Sequence, residues 1–442
     1  MNQKQYWMGV EELQNKEVPQ QADEFKEDLP FDISGNLLDA NTPRRDFLKY
    51  LGFSTAAAVL ASSCEMPVRK VIPYAIKPED ITPGVPNFYA STFVDGGEYC
   101  SIVIKTRDGR PIKIEGNEKC PITKGATSAK VQASVLNLYD KARLRHPYID
   151  QKEATFENVD KKVKEALVAQ ATKQGYLVTS SIISPTSKDV LAQFLAKYPN
   201  FKHVTYDGVS YAGMLLANEA CYGKRALPSY HFNAAKTIVS VGADFLGTWL
   251  SPVEFSKQYS EARKVSAKKP EMAKHFQFEA LHTISGAAAD VRATCKPSEY
   301  GAVVVAIHNA LNGTNPSFAS KKLNESIVSA ATELKKGNGL VVCGVNDVQI
   351  QTVVNAINAT IGANGTTIDW AVNSNYKQGI DSDFVNMVAA MNAGQVGVVM
   401  LHDVNPVYDY YQGNKFAEAL KKVSTTISFG ERMDETTQLC KV

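Results

Sequence analysis

The 442-residue sequence lacks any closely spaced pair of cysteines: Cys64, Cys100, Cys120, Cys221, Cys295, Cys343 and Cys440 contain no CxxC, CxxCH or ferredoxin-type run. That removes the local signatures of structural zinc, c-type haem and iron–sulfur clusters. An odd number of scattered thiols also makes a disulfide framework a poor fit, so most are expected to be small buried apolar residues. The histidines, His146, His203, His231, His275, His282, His308 and His402, include no i, i+4 pair and no HExxH, so none is expected to hold a metal. A nucleophile-elbow sequence is missing too, which leaves covalent hydrolysis without support. Charge of one sign is also lacking: 48 Lys plus Arg against 46 Asp plus Glu give +2. Nucleic acid is therefore excluded as an expected partner, since it calls for a basic face or stripe. The longest apolar run, roughly Tyr50 to Ala61, is about 12 residues, whereas crossing a bilayer takes about 20, so no transmembrane helix is expected.

With 44% hydrophobic and 21% charged residues the composition is globular, and the chain is long enough for two or three cores. Residues 1–40 are polar and acid-rich and read as an extended leader. Residues 41–63 change character: TPRRDFLKYLGFSTAAAVLASS sets Arg44 and Arg45 ahead of a short apolar stretch and a run of small residues. This is the layout of a twin-arginine export signal, which carries proteins already folded. Cys64 closes the segment in LASSC. That resembles a lipoprotein cleavage box, although Ala61 stands where leucine is usual; a lipid-modified residue and an ordinary thiol both remain open readings.

Residues 64–150 begin as a Pro-rich arm and continue as a small β-rich region, with Asp108-Gly109 as the turn of a hairpin. Beyond Asp150, β-branched runs alternate with helical patterns, the grammar of parallel sheets covered on both faces. Two α/β units are expected, 151–320 and 321–442. In such sheets ligands sit outside the carboxyl ends of the strands. Three strand-exit loops therefore supply candidate binding residues: Asp244, Asn346 and Asn405. None lies in a GxGxxG or a P-loop. His402-Asp403 has the composition of an oriented base, but neighbours in an extended segment point apart.

DGRPIKIEGNEKCPITKGATSAKVQASVLNLYDKARLRHP, VGADFLGTWLSPVEFSKQY, SGAAADVRA and HDVNPVYD, in that order, resemble the molybdopterin oxidoreductase superfamily, and within it the iron–sulfur subunit of bacterial alternative complex III. The resemblance implies an α/β fold with a small N-terminal β-hairpin region followed by two parallel-sheet units. It also implies a place on the periplasmic side of the inner membrane, where partners would be the quinol-oxidising and cytochrome c subunits and a terminal oxidase. The sequence departs from the family where chemistry is done. Only Cys100 stands in the region of the family's cysteine cluster, and Gly125-Ala126-Thr127-Ser128-Ala129-Lys130 has no cysteine between glycine and lysine. Four thiolates are needed to hold a cluster. The expectation is a noncatalytic scaffold region with the molybdenum pterin lost, and with [4Fe-4S] or [3Fe-4S] clusters carried by sequence beyond Val442. The alternatives are a catalytic molybdenum or tungsten oxidoreductase fragment, binding a pterin guanine dinucleotide through Asp244, Asn346 and Asn405, and an exported small-molecule binding protein.

Overall fold

The computed structural model describes residues 81–442 apart from Gly96, Gly97, Ile183, Lys268 and Lys269. The leader, Arg44, Arg45 and Cys64 lie outside the described residues. The first elements form an antiparallel meander, β1 (Asn87–Asp95), β2 (Glu98–Arg107) and β3 (Arg110–Gly116). Arg107 pairs with Arg110, so Asp108-Gly109 is the whole loop, with φ of 49° and 75°. A two-residue hairpin of the primed type needs positive φ at both positions, which Asp and Gly tolerate best. The meander buries Cys100, Ile102 and Ile114 against Val131, on a short helix α1 (Ala129–Ala133), and Val253.

Then follow β4 (Tyr148–Ile149), β5 (Lys152–Glu153), α2 (Phe156–Ala169), β6 (Gln174–Thr179), α3 (Pro185–Lys197), β7 (Phe201–Thr205), α4 (Ala212–Tyr222), β8 (Leu227–Tyr230) and β9 (Thr237–Val241). The middle comprises α5 (Pro252–Arg263), β10 (Lys274–Glu279), α6 (Ile284–Ala288), β11 (Val291–Thr294), α7 (Tyr300–Leu311), α8 (Lys321–Leu334) and β12 (Gly339–Cys343). The chain closes with α9 (Val348–Thr360), β13 (Ile368–Ser374), α10 (Asp381–Asn392), β14 (Val396–His402), α11 (Pro406–Asp409), α12 (Gly413–Lys421) and β15 (Thr425–Ser428). Helix starts are set locally. Thr155, Ser184, Ser320 and Asp347 each accept from an otherwise unpaired N–H of the first turn, and Pro185, Pro252 and Pro406 occupy first-turn positions where no N–H is missed.

Two parallel four-stranded sheets carry the fold, in the orders β15-β14-β6-β7 and β11-β10-β9-β12. Both are covered on each face. In the first, Val178, Val399 and Leu401 pack with Phe384 and Phe416 on one side, while Val398, Met400 and Ile427 pack with Leu167 and Phe201 on the other. This double burial is why VGVVML reads as an unbroken apolar run. The sheets do not follow one another along the chain, in contrast to the expected division at 320/321. Strands from 174–205 pair with strands from 396–428, and the second sheet is built from the segment between. The core runs across 320/321: Leu323, Ile327 and Leu334 of α8 share it with Ile307 and Leu311 of α7. Periodicity locates a strand but says nothing about its partner.

Candidate functional site at the carboxyl ends of the parallel strands

In each sheet the strand order reverses once, between β9 and β12 and between β6 and β14, and a crevice opens at such a point in an open parallel sheet. At the first, the two loops leave the sheet in backbone contact. Gly242, with φ of 61°, lies against Gly344 so closely that a Cβ on Gly344 would stand 2.2 Å from the Gly242 carbonyl oxygen. The atoms met are backbone, which cannot rotate aside as the end of a side chain can. Gly344→Ala is therefore expected to cost about 1–3 kcal/mol, in the range of overpacked cores. Urea denaturation of the purified variant measures it; an unchanged midpoint would mean that the two loops are free to separate.

The three candidate residues are placed apart, and each serves another part of the chain. The Asp244 carboxylate accepts from the backbone N–H (3.0 Å) and hydroxyl (2.7 Å) of Ser285, fixing the start of α6. Asn346 accepts from Gly213 N–H at 2.7 Å and donates to Asp381 at 3.3 Å, joining α4 to the start of α10. Asn405 accepts from the hydroxyl (2.6 Å) and N–H (3.2 Å) of Thr436 and donates to Glu435 at 2.8 Å. The neighbours His402 and Asp403 diverge, β14 ending at His402 and Asp403 turning with φ of 55°: Asp403 accepts from Ser180 Oγ at 2.9 Å, bridging the exits of β14 and β6, while His402 lies near Phe429.

Beside that bridge, at the exit of β7, the first sheet opens into a cavity of about 420 Å³ whose wall includes Tyr206, Asp207, Asp381, Phe384, Asp409 and Tyr410. Asp207 lies two residues past the end of β7 and is buried. Its carboxylate accepts from Ser181 Oγ at 3.2 Å and from Gly379 N–H at 2.8 Å. Burial nevertheless holds this carboxyl above its ordinary range, with the charge of Asp381 adding to the effect. Asp409 closes α11 and accepts from the Tyr206 phenol at 2.8 Å; it too is raised, chiefly by burial. Burial and the Asp409 charge together push the Tyr206 phenol far up. Sequence reasoning missed these groups. Their signal was faint: Tyr-Asp-Gly just after a strand, and the density of tyrosines in Tyr408-Asp409-Tyr410-Tyr411.

A pterin dinucleotide carries a diphosphate, which is usually met by helix N-termini, backbone N–H groups and cations. The residues present do not fit it. At one strand exit the loops of Gly242 and Gly344 are in backbone contact, and the cavity at the exit of β7 presents three carboxylates, with Lys377 near two of them. The thiols do not suit a cluster either. Among the described residues Cys100 of the meander core has only Cys120 near it, while Cys295 and Cys343 belong to the core of the second sheet, Cys440 to that of the first, and Cys221 is exposed on α4, so four thiols do not converge. Among the described residues no three His, Cys, Asp or Glu converge as metal ligands, and no helix is long and apolar enough to cross a membrane.

No protein-family model matches the sequence. It is 21% identical over 458 aligned positions, covering 90% of the chain, to the molybdopterin-binding-like subunit of menaquinone reductase from Nitratidesulfovibrio vulgaris. The structure is similar to acetylene hydratase from Pelobacter acetylenicus, with a TM-score of 0.60, 11% identity and 79% of this chain covered. The chain spans 64% of the first relative's length and 62% of the second's. Acetylene hydratase has a fold of the molybdopterin-oxidoreductase type, and this chain has that fold, as the sequence resemblance implied.

Proposed function

We propose that this chain is the molybdopterin-type scaffold region of the iron–sulfur subunit of a quinol-oxidising membrane complex of the alternative complex III kind, and that the region is itself noncatalytic. The observation that carries the reading is the state of the strand exits. A fold shared with a relative named as molybdopterin-binding-like here has the loops at one switch point in backbone contact, and its cavity, at the exit of β7, is lined with carboxylates. What such a fold still offers is a rigid surface on which subunits assemble. The relative's printed name, a menaquinone reductase subunit, supports a place in quinone-linked electron transfer. In this reading electrons pass through clusters outside these residues, and quinol-oxidising and cytochrome c subunits are the neighbours. Arg44 and Arg45 support export of the folded protein to the periplasmic side of the membrane, and Cys64 supports a lipid tether there.

The test is metal and pterin analysis of the exported protein purified without denaturation. Molybdenum and tungsten are expected well below one atom per chain, with no fluorescence of oxidised pterin. Stoichiometric molybdenum or tungsten together with pterin would overturn the scaffold reading in favour of a catalytic oxidoreductase fragment.

A further inference from the structure

We propose that the cavity at the exit of β7 receives the guanidinium or ammonium group of a basic side chain presented by a partner protein. Three carboxylates reach it from three separate elements: Asp207 after β7, Asp381 opening α10 and Asp409 closing α11. Asn346 donates to Asp381 and Tyr206 to Asp409, so two of the three are aimed by neighbours rather than left to swing. Four aromatic residues, Tyr206, Phe384, Tyr410 and Tyr411, also line the wall. Tyr206 and Phe384 have ring centroids 4.4 Å apart, Phe384 and Tyr410 5.0 Å, and Tyr410 and Tyr411 4.8 Å. Carboxylates beside ring faces make a receptor for a desolvated cation, because the ring quadrupole and the anion both favour positive charge.

The charge balance favours the same occupant. The Asp207 and Asp409 carboxyls are raised, first by burial, despite the hydrogen bonds they accept and the nearby Lys377. A cation entering beside these desolvated carboxyls would favour their charged form, whereas an entering phosphate would oppose it. A side chain of a protein fits better than a free amine because of the rim. Tyr411, which lines the cavity, is 80% exposed, and Val385 of the same wall is exposed as well. An aromatic rim around a pocket for one charged group matches the anchor-and-rim layout of binding hot spots, in which Arg is a frequent anchor.

The inference rests on the scaffold reading only in taking the partner to be a subunit of the same assembly. Its test is calorimetric titration of the full chain at low salt with two capped tripeptides, acetyl-Gly-Arg-Gly-amide and its citrulline analogue, which has the same shape without the charge. The arginine peptide is expected to bind at one site and at least about tenfold more tightly than the citrulline peptide, a difference set by the charge. Asp381→Asn, at an exposed position, should lower the affinity for the arginine peptide by about tenfold and leave the citrulline peptide unchanged. Equal binding of the two peptides to the wild-type chain would overturn the proposal. So would binding of inorganic pyrophosphate that Asp381→Asn strengthens, or binding of spermidine with none of the arginine peptide. Because metal and pterin analysis decides the scaffold reading separately, a pterin-free protein that ignores the arginine peptide would remove this proposal alone.

Discussion

Arg292→Ala is expected to remove about 3–5 kcal/mol of stability, the range for breaking a buried ion pair from one side. Glu279 ends β10 and is 1% exposed, and its carboxylate has a full set of donors. Arg292 reaches it from the adjacent strand β11, Thr283 gives its hydroxyl at 2.6 Å and its N–H at 3.3 Å, and Gln277 gives an amide N–H at 3.2 Å. Gly286 packs so tightly that a Cβ there would stand 1.8 Å from the same carboxylate, so no water can take the arginine's place on that side. Burial alone would raise this carboxyl, but the bonds from Thr283 and Arg292 outweigh it and hold the group below its ordinary range. A depressed carboxyl contributes stability above its unfolded value of about 4.3, lost as pH falls through the folded value. In Arg292→Ala the buried anion keeps only neutral donors, so the sign should reverse and the variant should lose less against wild type at pH 4.5 than at pH 7. Adding Glu279→Gln should recover much of the loss at pH 7. Denaturant unfolding of the single and double variants measures both. A single-variant loss under about 1 kcal/mol would mean that solvent reaches Glu279 once the guanidinium is gone.

That strand also marks where the sequence stopped being legible. The hairpin turn at Asp108-Gly109 and apolar strands such as GLVVC and VGVVML could be read because a local rule dictates each: positive φ in one, double-sided burial in the others. β10 breaks the second rule. Its sequence, KHFQFE, alternates as a surface strand would, yet His275, Gln277 and Glu279 are all at most 1% exposed, since the polar residues bond to one another instead of to water. Pairing between sheets was equally hidden, because nothing local tells β6 that its neighbour is β14. The site divides in the same way. Asp244, Asn346 and Asn405 could be placed at strand exits from pattern alone, but the direction each amide or carboxylate takes is set by α4, α6, α10 and Thr436, which are remote in sequence. Asp207, Asp381 and Asp409 meet only once β7 and β14 flank β6 in one sheet.

His275→Gln and Glu254→Gln are expected to shift stability with pH in opposite directions, each by up to about 3 kcal/mol relative to wild type. His275 is fully buried. Gln277 spends its amide N–H groups on Glu279 and the Ala243 carbonyl, so its oxygen accepts from His275 Nε2, leaving Nδ1 to accept from the Tyr259 phenol at 3.1 Å. Burial pushes this imidazole down to about 4 against the attraction of Asp290 and Glu279, with Arg263 helping to lower it. The unfolded chain takes up that proton near 6.5 and the folded one only near 4, so the histidine costs stability as pH falls between them. Glu254 does the reverse: burial raises its carboxyl to about 7, although Ser251 and Lys124 pull it down. The folded state therefore holds a proton that the unfolded state has lost, and stability drains away as pH rises from about 4.5 to 7. Over most of that range the two effects oppose each other in the wild-type protein, with the raised Asp207 and Asp409 on the side of Glu254. Only differences from wild type separate them: His275→Gln should gain on the wild type as pH is lowered from 7 to 4, and Glu254→Gln as it is raised from 4.5 to above 7. If the His275→Gln difference is flat, the imidazole is accommodated as a cation, with Tyr259 turning its hydroxyl fully to the Ala288 carbonyl 2.9 Å away. The ladder beneath the Ala243 loop would then be a proton-tolerant support for that strand exit instead of a neutral one.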